Sequence, residues 1–447
     1  MKFSLAAAVV LAYASATSAA TVVTVPMTGL VNTAHQNAAS LTRRYLHKRG
    51  LSTALPLTSI SGDVMYTVPV SLGTPGQQFN LAIDTGSPVT WVVSSQCTLN
   101  ECPKITNRFN CAASTTCRDL KSPFNASYVS GDGVQGQYIA ESYTLGSLQF
   151  TAAAGLVNVD TAPLPAGVDG IMGLWYYAKG GDVPFLNVLK NSTLLAQPQV
   201  GIWLQSSPDP KAKTAPGGEI TFGGVDTTRF TGELTYVNCV SNRPWTIPVG
   251  GMTVNGRNIN VANALGTIDT GTTAMLMPQA VADAINSAIP GSIKSANQGG
   301  LWFLPCSGTT PITITFGGLV VKIPHNTMAM QNNRARATNG AEYCLSAAMF
   351  PTGSVVAIEE WLIGDTFLKN VYSVFDFGTN AETGGRIGFA LLADNNGNNG
   401  NNTTGGGKNG GGNTGDNQSS STPSAATMTS RTLRALAVVA AVAAAAL

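Results

Sequence analysis

The sequence predicts an all-β protein of two β-rich lobes with pseudo-twofold symmetry and a central cleft. Three observations lead there. The first is an internal echo, in which Ala82-Ile83-Asp84-Thr85-Gly86-Ser87 returns as Thr267-Ile268-Asp269-Thr270-Gly271-Thr272. Two such Asp-Thr-Gly-(Ser/Thr) segments arise by chance in a chain of this length with a probability of about 10⁻⁴. The second is that each half goes on, at similar spacing, to an apolar-apolar-Gly segment: Asp169-Gly170-Ile171-Met172-Gly173-Leu174, then Trp361-Leu362-Ile363-Gly364-Asp365. The third is composition. Only 11% of the 447 residues are charged, and 49 are glycine. That balance favours many short strands and turns over long solvated helices.

In chain order, residues 1–20 read as a secretory signal, with Lys2, an apolar run from Leu5 and the small residues Ser18-Ala19-Ala20. Residues 21–49 end in His47-Lys48-Arg49, a site suited to a processing protease, and read as a propeptide. Two lobes follow, expected at 50–232 and 233–392. In the first, Met65-Tyr66-Thr67-Val68-Pro69-Val70-Ser71-Leu72 alternates, Gly73-Thr74-Pro75-Gly76 turns, and residues 79–83 run as a strand into the first aspartate turn. Strands are read from about Tyr66 onward, and 280–288 is one of the few plausible helices. No βαβ rhythm and no Gly-x-Gly-x-x-Gly phosphate loop is present. Residues 393–424, rich in Asn, Gly, Ser and Thr, cannot bury apolar surface and are expected to form a stalk. In 425–447 a polar spacer precedes an apolar tail shorter than the ~20 residues a spanning helix needs. That pattern fits a glycosylphosphatidylinositol (GPI) signal with attachment near Ser424.

The formal charge of +2 is set by the ends. Lys2, Arg43, Arg44, Lys48, Arg49, Arg431 and Arg434 lie in the terminal segments; taking those seven from 25 leaves 18 basic residues against 23 acidic, a balance of −5. That balance speaks against nucleic acid as a partner. Seven cysteines between the two ends suit an oxidising secretory route. Asn125, Asn191, Asn401, Asn402 and Asn417 head Asn-x-(Ser/Thr) sequons.

A Ser-His-Asp or Cys-His mechanism needs a histidine base, yet two of the three histidines, His35 and His47, lie in the expected propeptide. Only His325 remains, and no Gly-x-Ser-x-Gly elbow or His-Glu-x-x-His zinc motif exists. Two carboxylates remain as the candidate chemistry. Two aspartates sharing one site cannot both ionise freely, so one proton is held between them. The ionised member can take a proton from water, and the protonated one can give a proton to a carbonyl oxygen. Gly86 and Gly271 let the backbone approach the carboxylates. Thr85 and Thr270 can lock the turns together, and Ser87 and Thr272 can bond the outer carboxylate oxygens.

The span from about Tyr66 to Ala390 resembles the pepsin-like aspartic proteases. Asp84-Thr85-Gly86-Ser87 with Trp91, and Asp269-Thr270-Gly271-Thr272, look like the two catalytic segments. Residues 169–174 and 361–365 look like the segments closing each lobe's ψ-shaped loop, and Val374-Phe375-Asp376 with Ile387-Gly388-Phe389-Ala390 is similar too. The resemblance implies a bilobal pepsin-like fold and an endopeptidase of protein and peptide substrates, working in acid without cofactor or metal. It also implies a flap tyrosine, Tyr128, whose hydroxyl meets the Trp91 indole, with Asp132 near the flap tip. The segment Tyr128-Val129-Ser130-Gly131 is about one residue longer than the usual Tyr-Gly flap. Cys97-Cys102 and Cys306-Cys344 match family bridges. Cys111-Cys117 then pair, although four cysteines permit three connectivities. Cys239 is left over, as a buried thiol or an intermolecular link. A basic prosegment lying over an acidic cleft would make the chain a zymogen.

With its ends, the chain is similar to the fungal GPI-anchored, yapsin-like branch, and a monomer held at a cell membrane or wall is expected. The alternatives are a catalytically idle surface glycoprotein that binds or supports, and an adhesin-like protein. Intact motifs oppose the first, and the lack of repeated stalk units opposes the second.

Overall fold

The computed structural model describes residues 50–393, apart from 99, 103–104, 106, 129–130, 163, 177–183, 241–244, 296–299, 338–339, 352–359 and 379–384. The signal, propeptide and GPI segments, the stalk beyond 393, and with them Asn401, Asn402, Asn417 and Ser424, lie outside the described residues.

The all-β expectation holds. The strand Gln77–Asp84 pairs antiparallel with Met65–Leu72 on one side, and on the other it runs parallel to Gly170–Gly173, with Asp84 opposite Gly173. Gly170–Gly173 then meets Trp91–Val93 antiparallel, which in turn runs parallel to Leu148–Asp160. The second half repeats this weave. Leu265–Ile268 pairs antiparallel with Thr246–Pro248 and parallel with Trp361–Ile363, which meets Met275–Leu276 antiparallel and through it Ala348–Met349 parallel. The duplicated motifs of the sequence are thus a duplicated sheet. Each aspartate stands where its strand ends, on a segment held between two neighbours.

The parallel pairs were not legible as such, because each is two to four residues long and joins segments far apart in the chain. A second difference lies at the start. Strands were expected from Tyr66, but Thr53–Ile60 is already a strand, paired with Thr214–Phe222 and, over its last three residues, with Met65–Leu72. Leu55 and Leu57 point inward on its alternation. Pro56 obscures that alternation, and it is tolerated because this part of the strand has one neighbour only.

The lobes are joined by shared pairing. Phe230–Asn238 lies beside Arg386–Leu392, which pairs with Val371–Asp376, which pairs with Gln199–Leu204 of the first half. The division expected at 232/233 falls inside Phe230–Asn238. The helices are few and short. The expected one is Gln279–Ser287, and Phe185–Asn191 and His325–Met328 are similarly introduced by a proline. Under the first aspartate turn, Trp91, Val93, Phe124, Tyr128, Val157 and Ile171 pack as one buried cluster.

Candidate active site

Asp84 ends its strand after the buried Leu81-Ala82-Ile83, and Asp269 directly follows Leu265–Ile268, whose Gly266 and Ile268 are buried, so each turn leaves the core at once. Asp84 and Asp269 are both fully buried. The Gly86 N–H donates to Asp84 Oδ1 at 2.8 Å, and the Gly271 N–H donates to Asp269 Oδ1 at 2.8 Å. The Ser87 hydroxyl donates to Asp84 Oδ2, and Thr272 Oγ1 donates to Asp269 Oδ2 at 2.5 Å. The two turns are therefore chemically matched atom for atom.

The threonines tie them together. The Thr85 N–H donates to Thr270 Oγ1 at 3.1 Å, and the Thr270 N–H returns the bond to Thr85 Oγ1 at 3.0 Å. Each hydroxyl then donates across the seam, Thr85 to the Ile268 carbonyl at 2.8 Å and Thr270 to the Ile83 carbonyl at 3.0 Å. Four buried bonds thus fix the turns against each other. Thr270→Val removes one hydroxyl that both donates and accepts, leaving the Thr85 N–H and the Ile83 carbonyl unpaired. A loss of about 2–4 kcal/mol is expected, read as a lower denaturant midpoint. A midpoint equal to wild type would refute the role of the lock.

Glycine is required at both turns by proximity. A Cβ on Gly86 would lie 2.7 Å from Asp269 Oδ1, and one on Gly271 would overlap the Asp84 carboxylate. Each glycine therefore faces the carboxylate of the opposite lobe, which brings the two acids together. Burial pushes the Asp84 carboxyl well above the usual range, and the neighbouring charge of Asp269 adds to it; the bonds from Ser87 and Gly86 pull the other way. Burial also raises Asp269, against the donors Thr272 and Gly271. The pair holds a proton in common and titrates as a unit.

Above Asp84 stands the hairpin of Arg118–Ser127 and Gly133–Leu145, with Ser127 opposite Gly133. Tyr128 is buried at its turn. Its N–H donates to the Asp132 carbonyl at 2.9 Å, and the Gly131 N–H donates to the Tyr128 carbonyl at 2.8 Å. The Trp91 indole N–H donates to the Tyr128 hydroxyl at 2.7 Å. Burial and the nearby charge of Asp84 raise that phenol well above its ordinary value, so it stays neutral. Val129 and Ser130 lie outside the described residues. In Trp91→Phe the phenol oxygen loses its donor in a buried place, a cost of about 1–3 kcal/mol that falls on flap order. A raised KM with kcat less affected is expected in steady-state peptide hydrolysis; an unchanged KM would count against the contact.

The sequence did not single out a third carboxyl group at the seam. Asp365, next after Gly364, is buried, and neither carboxyl oxygen has a hydrogen-bond partner among the described residues. Burial drives it well above the carboxylate range, opposed by Lys369 and reinforced by Asp269, Asp63 and Asp84. Lys369 Nζ lies 3.2 Å from Asp63 Oδ2, and Asp63 also accepts from Ser59 Oγ at 2.7 Å and the Ser207 N–H at 2.8 Å. The available signal was an Asp and a Lys four residues apart after an apolar-Gly segment. Asp169, by contrast, braces the first lobe by accepting from the Asn80 N–H at 2.8 Å and Asn107 Nδ2 at 3.0 Å.

The three expected disulfides, Cys97–Cys102, Cys111–Cys117 and Cys306–Cys344, are present. Cys239 is a buried free thiol, pushed up to about 12 by burial and so unreactive. His325 is buried with Nε2 2.8 Å from the Pro305 carbonyl oxygen. Asn125 and Asn191 are exposed.

Residues 65–392 match the family model described as eukaryotic aspartyl protease. Among named relatives, the chain is 31% identical over 331 residues to the probable aspartic-type endopeptidase CTSD of Arthroderma benhamiae, covering 73% of this chain and 61% of that protein. It is 34% identical over 334 residues to the aspartic-type endopeptidase ctsD of Aspergillus fumigatus, 73% of this chain and 66% of the relative. It is 31% identical over 375 residues to major aspartyl peptidase 1 of Cryptococcus neoformans, 78% and 73% of the respective chains. The chain thus spans less than two thirds of the length of the first two of these relatives. Matched motifs, matched sheets and a family model covering both lobes lead to one statement: this chain belongs to the eukaryotic aspartyl protease family.

Proposed function

We propose that this protein is an aspartic endopeptidase that hydrolyses protein and peptide substrates in acid, with Asp84 and Asp269 as the catalytic pair. The observation that carries this is the reciprocal seating of the two carboxyl groups, each against the other lobe's turn glycine and each held by the same set of donors. Their common proton supplies one base and one acid at once. A water between them loses a proton to the ionised carboxylate as its oxygen bonds the amide carbon. The protonated carboxyl gives its proton to the carbonyl oxygen, producing a neutral tetrahedral diol. Proton return to the amide nitrogen then lets the C–N bond break, with no covalent link to the enzyme. Tyr128 and the hairpin that bears it close over the substrate, with Asp132 as the flap residue that would meet substrate side chains.

The terminal segments support the location. A signal at 1–20, a basic propeptide at 21–49, a stalk at 393–424 and a GPI signal at 425–447 describe a secreted zymogen, glycosylated and held by a lipid anchor at a fungal cell membrane or wall, similar to the yapsin-like branch. It would act as a monomer.

The test is cleavage of a mixed peptide library between about pH 3 and 7 by protein freed of its prosegment, with and without pepstatin. Acid-peaked cleavage blocked by pepstatin is the expected result. Folded, prosegment-free protein that cleaves nothing would overturn the proposal in favour of an idle surface glycoprotein.

A further inference from the structure

The outer edge of the flap hairpin raises a problem that the catalytic account leaves open. Arg118–Ser127 is the last strand of a thirteen-stranded sheet, paired on one side with Gly133–Leu145 and, among the described residues, with nothing on the other. A free edge of this kind is a template for pairing with a second chain, and proteins guard such edges with charge, proline or bulges. The first half of this strand has all three: Asp119 and Lys121 as an exposed ion pair, Pro123, and a register shift between Asp119 and Pro123. The second half, Phe124-Asn125-Ala126-Ser127, has none of them. It does contain the sequon. Alternation turns Phe124 and Tyr128 inward, Phe124 against Gly155 and the edge of Tyr138, while Asn125 and Ser127 face solvent. Both residues that an N-glycan acceptor needs therefore lie on the face opposite the flap tyrosine.

We propose that Asn125 carries an N-linked oligosaccharide that guards the uncharged half of the flap's free edge while leaving the cleft side open. This rests on the secretory route proposed above. The transfer joins Asn125 Nδ2 to the anomeric carbon of a polyprenyl-diphosphate-linked oligosaccharide. The anomeric C–O bond breaks, the lipid diphosphate leaves with the electron pair, and one amide proton is released. The sugar, rooted on the outer face of the edge strand and larger than the ~4.8 Å strand spacing, overhangs the solvent beside residues 124–127 and obstructs a pairing strand. Because it projects from the outer face, it does not lie between Tyr128 and the dyad, so short peptides reach the site unhindered.

The full chain is expressed in a fungal secretory host, and the surface-held protein is released by cleavage of its lipid anchor and mapped by glycopeptide mass spectrometry. Asn125→Gln and Ser127→Ala remove the sequon in two different ways, and Ser127→Thr keeps it. The wild type is also deglycosylated enzymatically after folding, so that a folding defect in a variant does not decide the matter. The proposal expects glycan on Asn125 in wild type and Ser127→Thr, and its loss in the other two. It further expects that glycan-free samples shift from a single species to dimers and larger particles in light scattering, with kcat/KM on a short peptide unchanged by enzymatic deglycosylation of the wild type. An unmodified Asn125 beside a glycosylated Asn191 would overturn it while leaving the secretory route standing. So would a deglycosylated protein that stays monodisperse. A chain retained in the cytosol with neither site modified would overturn both.

Discussion

Asp84→Asn lowers kcat/KM on a peptide substrate by about 10⁴-fold or more, and Asp269→Asn does the same. Asparagine keeps the shape: its Oδ1 still accepts from the Gly86 or Gly271 N–H, and the Ser87 or Thr272 hydroxyl turns from donor to acceptor toward the new NH2, so the seam remains locked and the fold is retained. What disappears is the shared proton. An amide neither takes a proton from water nor gives one to a carbonyl oxygen in this range. The losses are also not additive, since the surviving carboxyl has no partner to complete the step, and the double variant is expected to be little worse than either single one. Activity of either single variant within about tenfold of wild type, with an unchanged denaturant midpoint, would refute the dyad.

The second large effect is on stability against pH. Asp84, Asp269 and Asp365 are all raised by burial, so the folded protein keeps protons that the unfolded chain releases at ordinary carboxylate values. A folded value above the unfolded one gives stability that is fully present below the unfolded value and lost as pH rises through the folded one. Each proton so retained costs about 1.4 kcal/mol per pH unit across that window. Against burial, Asp226 is lowered by Thr228 and Asp283 by Lys294; they act in the opposite sense, but at and below the ordinary carboxylate range. Denaturant midpoints are therefore expected to fall as pH rises from about 4 toward 7. Asp365→Asn is expected to flatten that fall, because it removes one of the three raised groups without touching the dyad's own bonds. Midpoints that climb with pH over this range, or a variant with an unchanged slope, would refute the account.

Much of this was written in local sequence. Asp-Thr-Gly with its apolar approach and apolar-Gly sequel identifies two turns and their sheets, because an abrupt turn after a buried strand demands those residue types. Gly86 and Gly271 followed from the same turns, and Tyr128 with Trp91 and the three disulfides from the resemblance to pepsin-like proteases. What escaped was set by contacts between distant residues. The strand Thr53–Ile60 carries Pro56 within its alternation, and its main partner lies more than a hundred residues on. The meeting of Asp365, Lys369 and Asp63 depends on a turn of the first half touching a helix of the second, and no periodicity records that. The parallel pairings are too short to leave a pattern.

The shared sheet also bears on how the chain is made. Val371–Asp376 fills the place between Gln199–Leu204 and Arg386–Leu392, so the first half's sheet lacks a neighbour until nearly the whole body has left the ribosome. Until then Gln199–Leu204, buried along its whole length in the finished protein, offers an open apolar edge. A stalled or shortened product would therefore be sticky rather than merely incomplete. Vectorial synthesis makes the final hairpin the clasp of the molecule, because it fills the gap between the two halves last.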